Sequence, residues 1–446
     1  MNPESLPVDV FECRRFLLRL AYVRLGGSSA ADSWKSVQFA TGAHYELAYP
    51  NYFGKEIIAA LQAMEVIYFN TETNLYQFTD RKYVIKPKNT EQCFVDGERY
   101  EEVLDGVDGI AEFNALMERY SGKMPLPTRL IAQDLHHLNN LSFADFLEDN
   151  LALSPELKQR IDYQMLDDWG GKSEEVSALA GIHYYTCRPY FEQDVELFSP
   201  PNGNAYFIER MVGQLPDVTA LHTETLVKAI RETEDGVEAE VIRKDGSVEL
   251  VKAKALIYAG QKHSVKYIMP EARELFKIDY APWVVLNIVC KKGIDFGKWQ
   301  NDVLTDQLEF LGFVDSKHQK NRSETHEVLT AYYCFKANER EKLVEIEQAP
   351  EDFIAATIAL IEEETGTSIN DNVEHVNLKI MGHAMPIPKP GYLNLADVPV
   401  YSEKIVFAGV DTGRLPLFSE AFDSGLQAAS ILLNNEKKEE SESGVI

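Results

Sequence analysis

Two Asp-Gly pairs, Asp235-Gly236 and Asp245-Gly246, constrain this chain more than any other feature of its sequence. They punctuate residues 222–260, which read TETLVKAIRET, EDG, VEAEVIR, KDG and SVELVKAKALIYAG. Asp-Gly between alternating apolar and polar residues is a hairpin signal, because glycine reaches the positive φ that a tight turn needs. The spacing predicts a three-stranded antiparallel meander followed by an apolar strand over 255–259. A chain that commits forty residues to such a ribbon is neither all-helical nor disordered, and the rest of its pattern must supply a partner for the apolar strand.

The remainder alternates between helical and strand periods. Residues 54–66 (GKEIIAALQAMEV) repeat apolar positions at helical spacing, and residues 73–85 read as two short strands. Residues 107–170 are mostly helical, with Ser142 and Ser154 as N-caps. Residues 181–191 (GIHYYTCRPYF) are dense in aromatics, the mark of a core segment or of a cavity wall. Residues 283–290 and 328–335 read as strands, 351–365 as an amphipathic helix, 378–392 as a strand running into a proline-broken loop, 404–410 as a buried strand and 420–433 as a helix. From Arg24 the text RLGGSSAADSWKSVQFATGAHYEL reads as a loop, a short strand and a close-packed turn.

Charge and cysteine content narrow the function. The 446 residues hold 71 acidic side chains against 44 lysines and arginines, for a net charge of -27. That field opposes binding to nucleic acid or to anionic membrane surfaces, favours solubility and attracts cations. The five cysteines are scattered with no CxxC pair, which speaks against a disulfide framework or a zinc site and fits a reducing cytoplasm. No apolar run approaches the ~18 residues that span a bilayer. The adjacent His136 and His137 cannot share a helix face and make a poor metal pair. The expected partner is a small-molecule substrate; the sequence leaves the oligomeric state open.

Taken in order, RLGG, a strand ending in Gly42-Ala43-His44, the meander with its apolar strand, AMP before PGY, and VFAG–D–SGLQAA resemble the FAD-dependent amine oxidases. The group extends to protoporphyrinogen oxidases and phytoene desaturases, and the resemblance runs from Arg24 to about Leu433. It implies an α/β fold with a discontinuous, Rossmann-like FAD-binding domain (24–60, 200–265 and 395–434) joined by a β-meander crossover. An α+β substrate domain (61–199 and 266–394) and a disordered acidic tail (435–446) complete the expectation.

The same resemblance implies site residues. Gly26 and Gly27 correspond to the glycine pair that approaches the FAD ribose and phosphate. Val227 corresponds to the position whose backbone touches the adenine. Gly42, Ala43 and His44 match a turn near the isoalloxazine, with His44 as substrate-positioning group or proton acceptor. Gly409 and Asp411 correspond to the loop against the ribityl and pyrophosphate region. Ser419, Glu420 and Ala421 open a helix whose N-terminus points at the flavin edge that gains negative charge on reduction. Gly425, Ala428 and Ala429 correspond to the small residues that let this helix approach its sheet.

The departures from the family are equally specific. Its opening strand, GxGxxG turn and helix have no counterpart before Arg24, so the first βαβ unit is expected to be missing. Val10-Phe11-Glu12 resembles the end of the second strand, although Glu12 lies farther from Gly26 than the family spacing. Glu420 stands where a small residue is usual, and no lysine matches the one that many members hold near flavin N5. The implied function is a flavin-dependent oxidoreductase taking hydride from a C–N or a C–H bond. The alternative is a non-catalytic remnant or binding protein of the same fold, with weak FAD binding or none.

Overall fold

The computed structural model describes residues 9–11, 25–42, 53–86, 90–187, 197–305, 309–319, 323, 325–396 and 398–443. The chain divides into two compact units. One comprises Met1–Gly26, Ile208–Ile278 and Asn394–Ile446; the other comprises Gly27–Phe207 and Asp279–Leu393.

The first unit contains the meander. Strands Leu226–Thr233, Gly236–Ile242 and Val248–Ala253 pair antiparallel in sequence order. Gly236 is required at the first turn, since a Cβ there would lie 2.2 Å from the Ala253 carbonyl oxygen. At the second turn Asp245 Oδ1 accepts from the Ser247 amide and hydroxyl, at 2.9 and 2.6 Å. Alternation then sorts the faces. Val237, Ala239 and Val241 are buried, while Glu238 and Glu240 pair with Lys252 and Lys228.

The apolar strand, Leu256–Tyr258, leaves the meander and pairs in parallel with Ile405–Phe407. Ile405 and Phe407 pack with Val227, Ile230, Val241 and Tyr258 on one side. Val406 and Ala408 pack with Val398 and Ala428 on the other. Both faces of this strand are therefore covered, as parallel strands require. A separate parallel pair joins Asp9–Phe11 to Ala220–His222, so Val10 and Phe11 do lie on a strand, and Glu12 falls outside the described residues.

The last helix, Phe418–Ser443, is 26 residues long and runs on through most of the expected disordered tail. The NNEKKEESES text has few β-branched residues and alternates charges at helical spacing, which prolongs a helix already nucleated by its buried first turns. Of its three small residues only Ala428 belongs to the apolar cluster against the strand; a Cβ on Gly425 would meet nothing within 4 Å.

The second unit is built on a seven-stranded sheet. Its order is Val373–Pro386, Tyr280–Lys291, His326–Cys334, Phe310–Asp315, Gln300–Leu304, Glu91–Val95 and Glu98–Tyr100. Neighbours are antiparallel except for Gln300–Leu304 beside Glu91–Val95. One face, carrying Val284, Leu286, Ile288, Phe310 and Tyr333, is covered by helices Glu341–Gln348 and Pro350–Thr365. The other face takes Val37 and Phe39 against Val289 and Val328. That contact holds residues 27–42 in this unit, whereas the sequence reading groups 24–60 with the cofactor domain. Likewise Val265, Ile268 and Ala272 pack into the meander core, which carries residues 266–278 into the first unit.

Helices Lys55–Ala63, Ile110–Glu118, Phe143–Asn150, Pro155–Trp169 and Ala178–Cys187 complete the second unit. The Ser142 and Ser154 hydroxyls accept from the Asp145 and Leu157 amides, as the N-cap pattern predicts. The aromatic segment is a fully buried helix as far as Cys187. Gly181 on that helix is fixed by packing, because a Cβ would come 2.3 Å from the Phe143 ring. No helix among the described residues is long and apolar enough to cross a membrane.

Candidate functional site

The site residues anticipated from sequence fall into both units. In the second unit, Gly27–Ser29 forms a single helical turn and Ala31–Trp34 with Val37–Ala40 a hairpin. Gly27 has φ 57° and Gly26 φ 116°, left-handed values that other residues avoid. The hairpin ends at Thr41 and Gly42, which fold back onto the first turn. The Thr41 amide and hydroxyl both donate to the Ala30 carbonyl, at 3.0 and 2.9 Å. A Cβ on Gly42 would sit 2.3 Å from the Ser28 carbonyl oxygen, so only glycine permits the contact. The Gly27 and Gly42 segments are thus brought together. Ala43 and His44 lie outside the described residues.

In the first unit, Val227 is buried in the meander core, and the ladder shifts register between Val227 and Ala229. Such a bulge re-aims backbone groups locally. Gly409, Asp411, Ser419, Glu420 and Ala421 cluster after the strand Ile405–Phe407. Gly409 has φ 119°, and its amide donates to the Ser424 hydroxyl at 2.6 Å. A Cβ there would lie 3.2 Å from Lys262 Nζ and 3.3 Å from Asp411 Oδ1, tighter than ordinary packing.

Asp411 is not alone. Lys262 Nζ, fully buried, donates to Asp411 Oδ1 at 3.0 Å, to the Gly260 carbonyl at 2.9 Å and to the Ala408 carbonyl at 2.5 Å. The Lys262 amide donates to Asp411 Oδ2 at 2.7 Å. All three ammonium donors are used, as a buried charge demands. Burial lowers the Lys262 pKa, and the Asp411 carboxylate opposes that shift. Tyr258 helps to hold the loop: its hydroxyl pairs with Ser264, whose own hydroxyl donates to the Gln261 carbonyl at 2.6 Å. Sequence reasoning missed Lys262. A lysine in a polar text such as GQKHS reads as exposed, and its partner lies 149 residues away.

The first turn of the last helix holds two buried polar side chains. Glu420 is fully buried. The Ser419 hydroxyl is buried and has no protein hydrogen-bond partner. A helix N-terminus, an orphaned hydroxyl and a glycine that bares the backbone all stand past the carboxyl ends of a parallel strand pair. Open α/β sheets bind their ligands there, and helix N-termini favour anionic groups. These residues fit the flavin and ribityl end of FAD.

Other polar groups suit structural roles. His136 Nε2 and His137 Nδ1 contact the carbonyls of Ile131 and Asp134. Cys93, Cys290 and Cys334 are buried free thiols, and Cys187 is buried as well. No group of three or more histidine, cysteine or carboxylate side chains suited to a metal ion occurs among the described residues.

No protein-family model and no curated protein matches the sequence. Solved structures do match in fold. An engineered triple variant of a putrescine oxidase aligns with 93% of this chain and 92% of its own, at 12% identity and a TM-score of 0.64. A putative protoporphyrinogen oxidase from Exiguobacterium sp. 255-15 aligns with 94% of this chain and 92% of its own, at 13% identity and a TM-score of 0.64. Cyclohexylamine oxidase from Brevibacterium oxydans IH-35A aligns with 94% and 93%, at 12% identity and a TM-score of 0.61. The chain therefore shares a mixed α/β fold with oxidases whose names include putrescine and cyclohexylamine.

Proposed function

We propose that this protein is an FAD-dependent oxidoreductase that takes hydride from a C–N or C–H bond of a small organic substrate. The observation that carries the reading is the cluster of Gly409, Asp411 and Ser419 at the carboxyl ends of the Leu256–Tyr258 and Ile405–Phe407 pair, in a chain with the fold of amine-oxidising enzymes. Bound FAD would supply the two-electron acceptor. Gly409 exposes backbone toward the cofactor, the Ser419 hydroxyl finds its missing partner there, and the N-terminus of the last helix stabilises negative charge on the flavin. His44 is assigned the substrate-positioning or proton-accepting role. The net charge of -27 favours the approach of cationic amines.

The affinity for FAD is expected to be weak. A glycine-rich turn ordinarily meets the two pyrophosphate charges with backbone amides, and no GxGxxG occurs in these 446 residues. Each such charged hydrogen bond contributes roughly 1.5–3 kcal/mol. Titration with FAD, followed by flavin fluorescence and visible absorbance, tests both parts. Saturable binding in the micromolar range or weaker is the expected result. Stoichiometric sub-micromolar binding would overturn the weak-affinity part; no saturable binding up to millimolar FAD would overturn the reading itself.

A further inference from the structure

Asp411 places a carboxylate where, on the reading above, the cofactor brings two phosphate charges. An isolated buried carboxylate there would repel the ligand and would itself be costly to bury. The structure answers with Lys262, whose ammonium contacts Asp411 Oδ1 at 3.0 Å and whose amide holds Oδ2 at 2.7 Å. The same ammonium caps the carbonyls of Gly260 and Ala408, which lie just past the ends of the two parallel strands. It stands 5.6 Å from the centroid of the Tyr258 ring. Gly409 keeps the room for this: any side chain there would press on Lys262 Nζ and Asp411 Oδ1 together.

We propose that Lys262 is a positioning residue that neutralises Asp411 and thereby sets the charge this end of the strand pair offers to an anionic dinucleotide. The proposal rests on the FAD reading and deepens it. With both residues ionised the pair sums to zero, and an anion approaches a neutral edge. Without the ammonium the same edge carries one negative charge. Without the carboxylate it carries one positive charge. Affinity for the anionic cofactor then follows local charge, whereas a purely structural pair makes every single variant bind worse.

The test is a charge series on the full chain at pH 6.5, with FAD as the probe and fluorescence quenching as the readout. Circular dichroism melts report folding. Lys262→Met is expected to bind FAD at least tenfold more weakly than the wild type. Lys262→Met combined with Asp411→Asn, neutral again, is expected to return within about threefold of it. Asp411→Asn alone is expected to bind tighter than the wild type, and to gain further as pH falls and its lysine holds its proton. If Lys262→Met does not fold, the Asp411→Asn variant and the double variant still decide the matter. A series in which Asp411→Asn binds more weakly than the wild type, or in which the double variant stays as weak as Lys262→Met, overturns the proposal and leaves the FAD reading standing. A wild-type chain with no FAD binding overturns both.

Discussion

The two units bury ionisable groups by opposite means. In the first, Lys262 and Asp411 are buried as an ion pair, and the carboxylate opposes the lowering of the Lys262 pKa by burial. In the second, burial itself discharges the group: the His183 pKa is pushed down to about 4, and Asp315 is pushed up to about 7. Asp315 Oδ1 accepts from the Lys317 amide at 2.9 Å, while Oδ2 is buried without a hydrogen-bond partner. Nearby Glu327 and Asp295 raise its pKa further, and Lys317 lowers it. A paired charge is a fixed electrostatic element that a ligand can feel. A discharged group is a filler that pH alone reawakens.

The sharpest way to break this comparison is to remove one partner in the first unit. Lys262→Met removes the ammonium from the Asp411 carboxylate while keeping the residue-262 amide on Oδ2, and is expected to cost about 3–5 kcal/mol in urea unfolding at pH 7. Adding Asp411→Asn should recover most of that loss. A single variant that unfolds like the wild type would mean that the pair is no more than a surface contact.

Asp315→Asn probes the second unit. Asp315 has a raised folded pKa, so its stabilising contribution is complete below pH ~4 and is lost as pH rises through about 7. The asparagine variant should therefore gain stability relative to wild type between pH 4 and 8, by roughly 2–4 kcal/mol. A difference that stays flat with pH would show the carboxylate to be hydrated. His183 works with the other sign. Its lowered folded pKa gives stability that is present above pH ~6.5 and lost as pH falls toward 4. His183→Leu should flatten that acid limb, an effect of roughly 2–3 kcal/mol by pH 4. An unchanged limb would assign acid lability to other groups.

The smallest effect concerns a buried carboxylate held by hydrogen bonds. Tyr163 donates to Asp302 Oδ1 at 3.1 Å and also to the Leu311 carbonyl, and Gln300 Nε2 donates to the same Asp302 oxygen at 2.9 Å. Tyr163→Phe leaves Asp302 with Gln300, so the expected loss in thermal or urea unfolding is only about 1 kcal/mol. A loss near that of Lys262→Met would erase the distinction between the two units.

What the sequence made legible follows from the range of the forces involved. The meander was readable because Asp-Gly turns and alternation are local, and the N-caps at Ser142 and Ser154 for the same reason. The hairpin Ala31–Ala40 was read as one strand, because its turn uses Lys35 at φ 51°, with no glycine or asparagine to announce it. The packing of segment 27–42 is not legible in the sequence, since the apolar contact of Val37 and Phe39 with Val289 and Val328 spans some 250–290 residues. At the candidate site, Gly409, Asp411 and the last helix came from a contiguous motif. Lys262 came from none, because a long-range ion pair leaves no trace in either local text.

The parallel pairing of Leu256–Tyr258 with Ile405–Phe407 also sets an order of events during synthesis. Between the two strands the ribosome must deliver the whole of Asp279–Leu393, which belongs to the other unit. At roughly 5–20 residues per second the first strand waits on the order of ten seconds for its partner. During that interval Ile405 and Phe407, which complete the apolar cluster around Tyr258, do not yet exist outside the tunnel. The strand Leu256–Tyr258 therefore gains its parallel partner only after residues 279–393 of the second unit have been made.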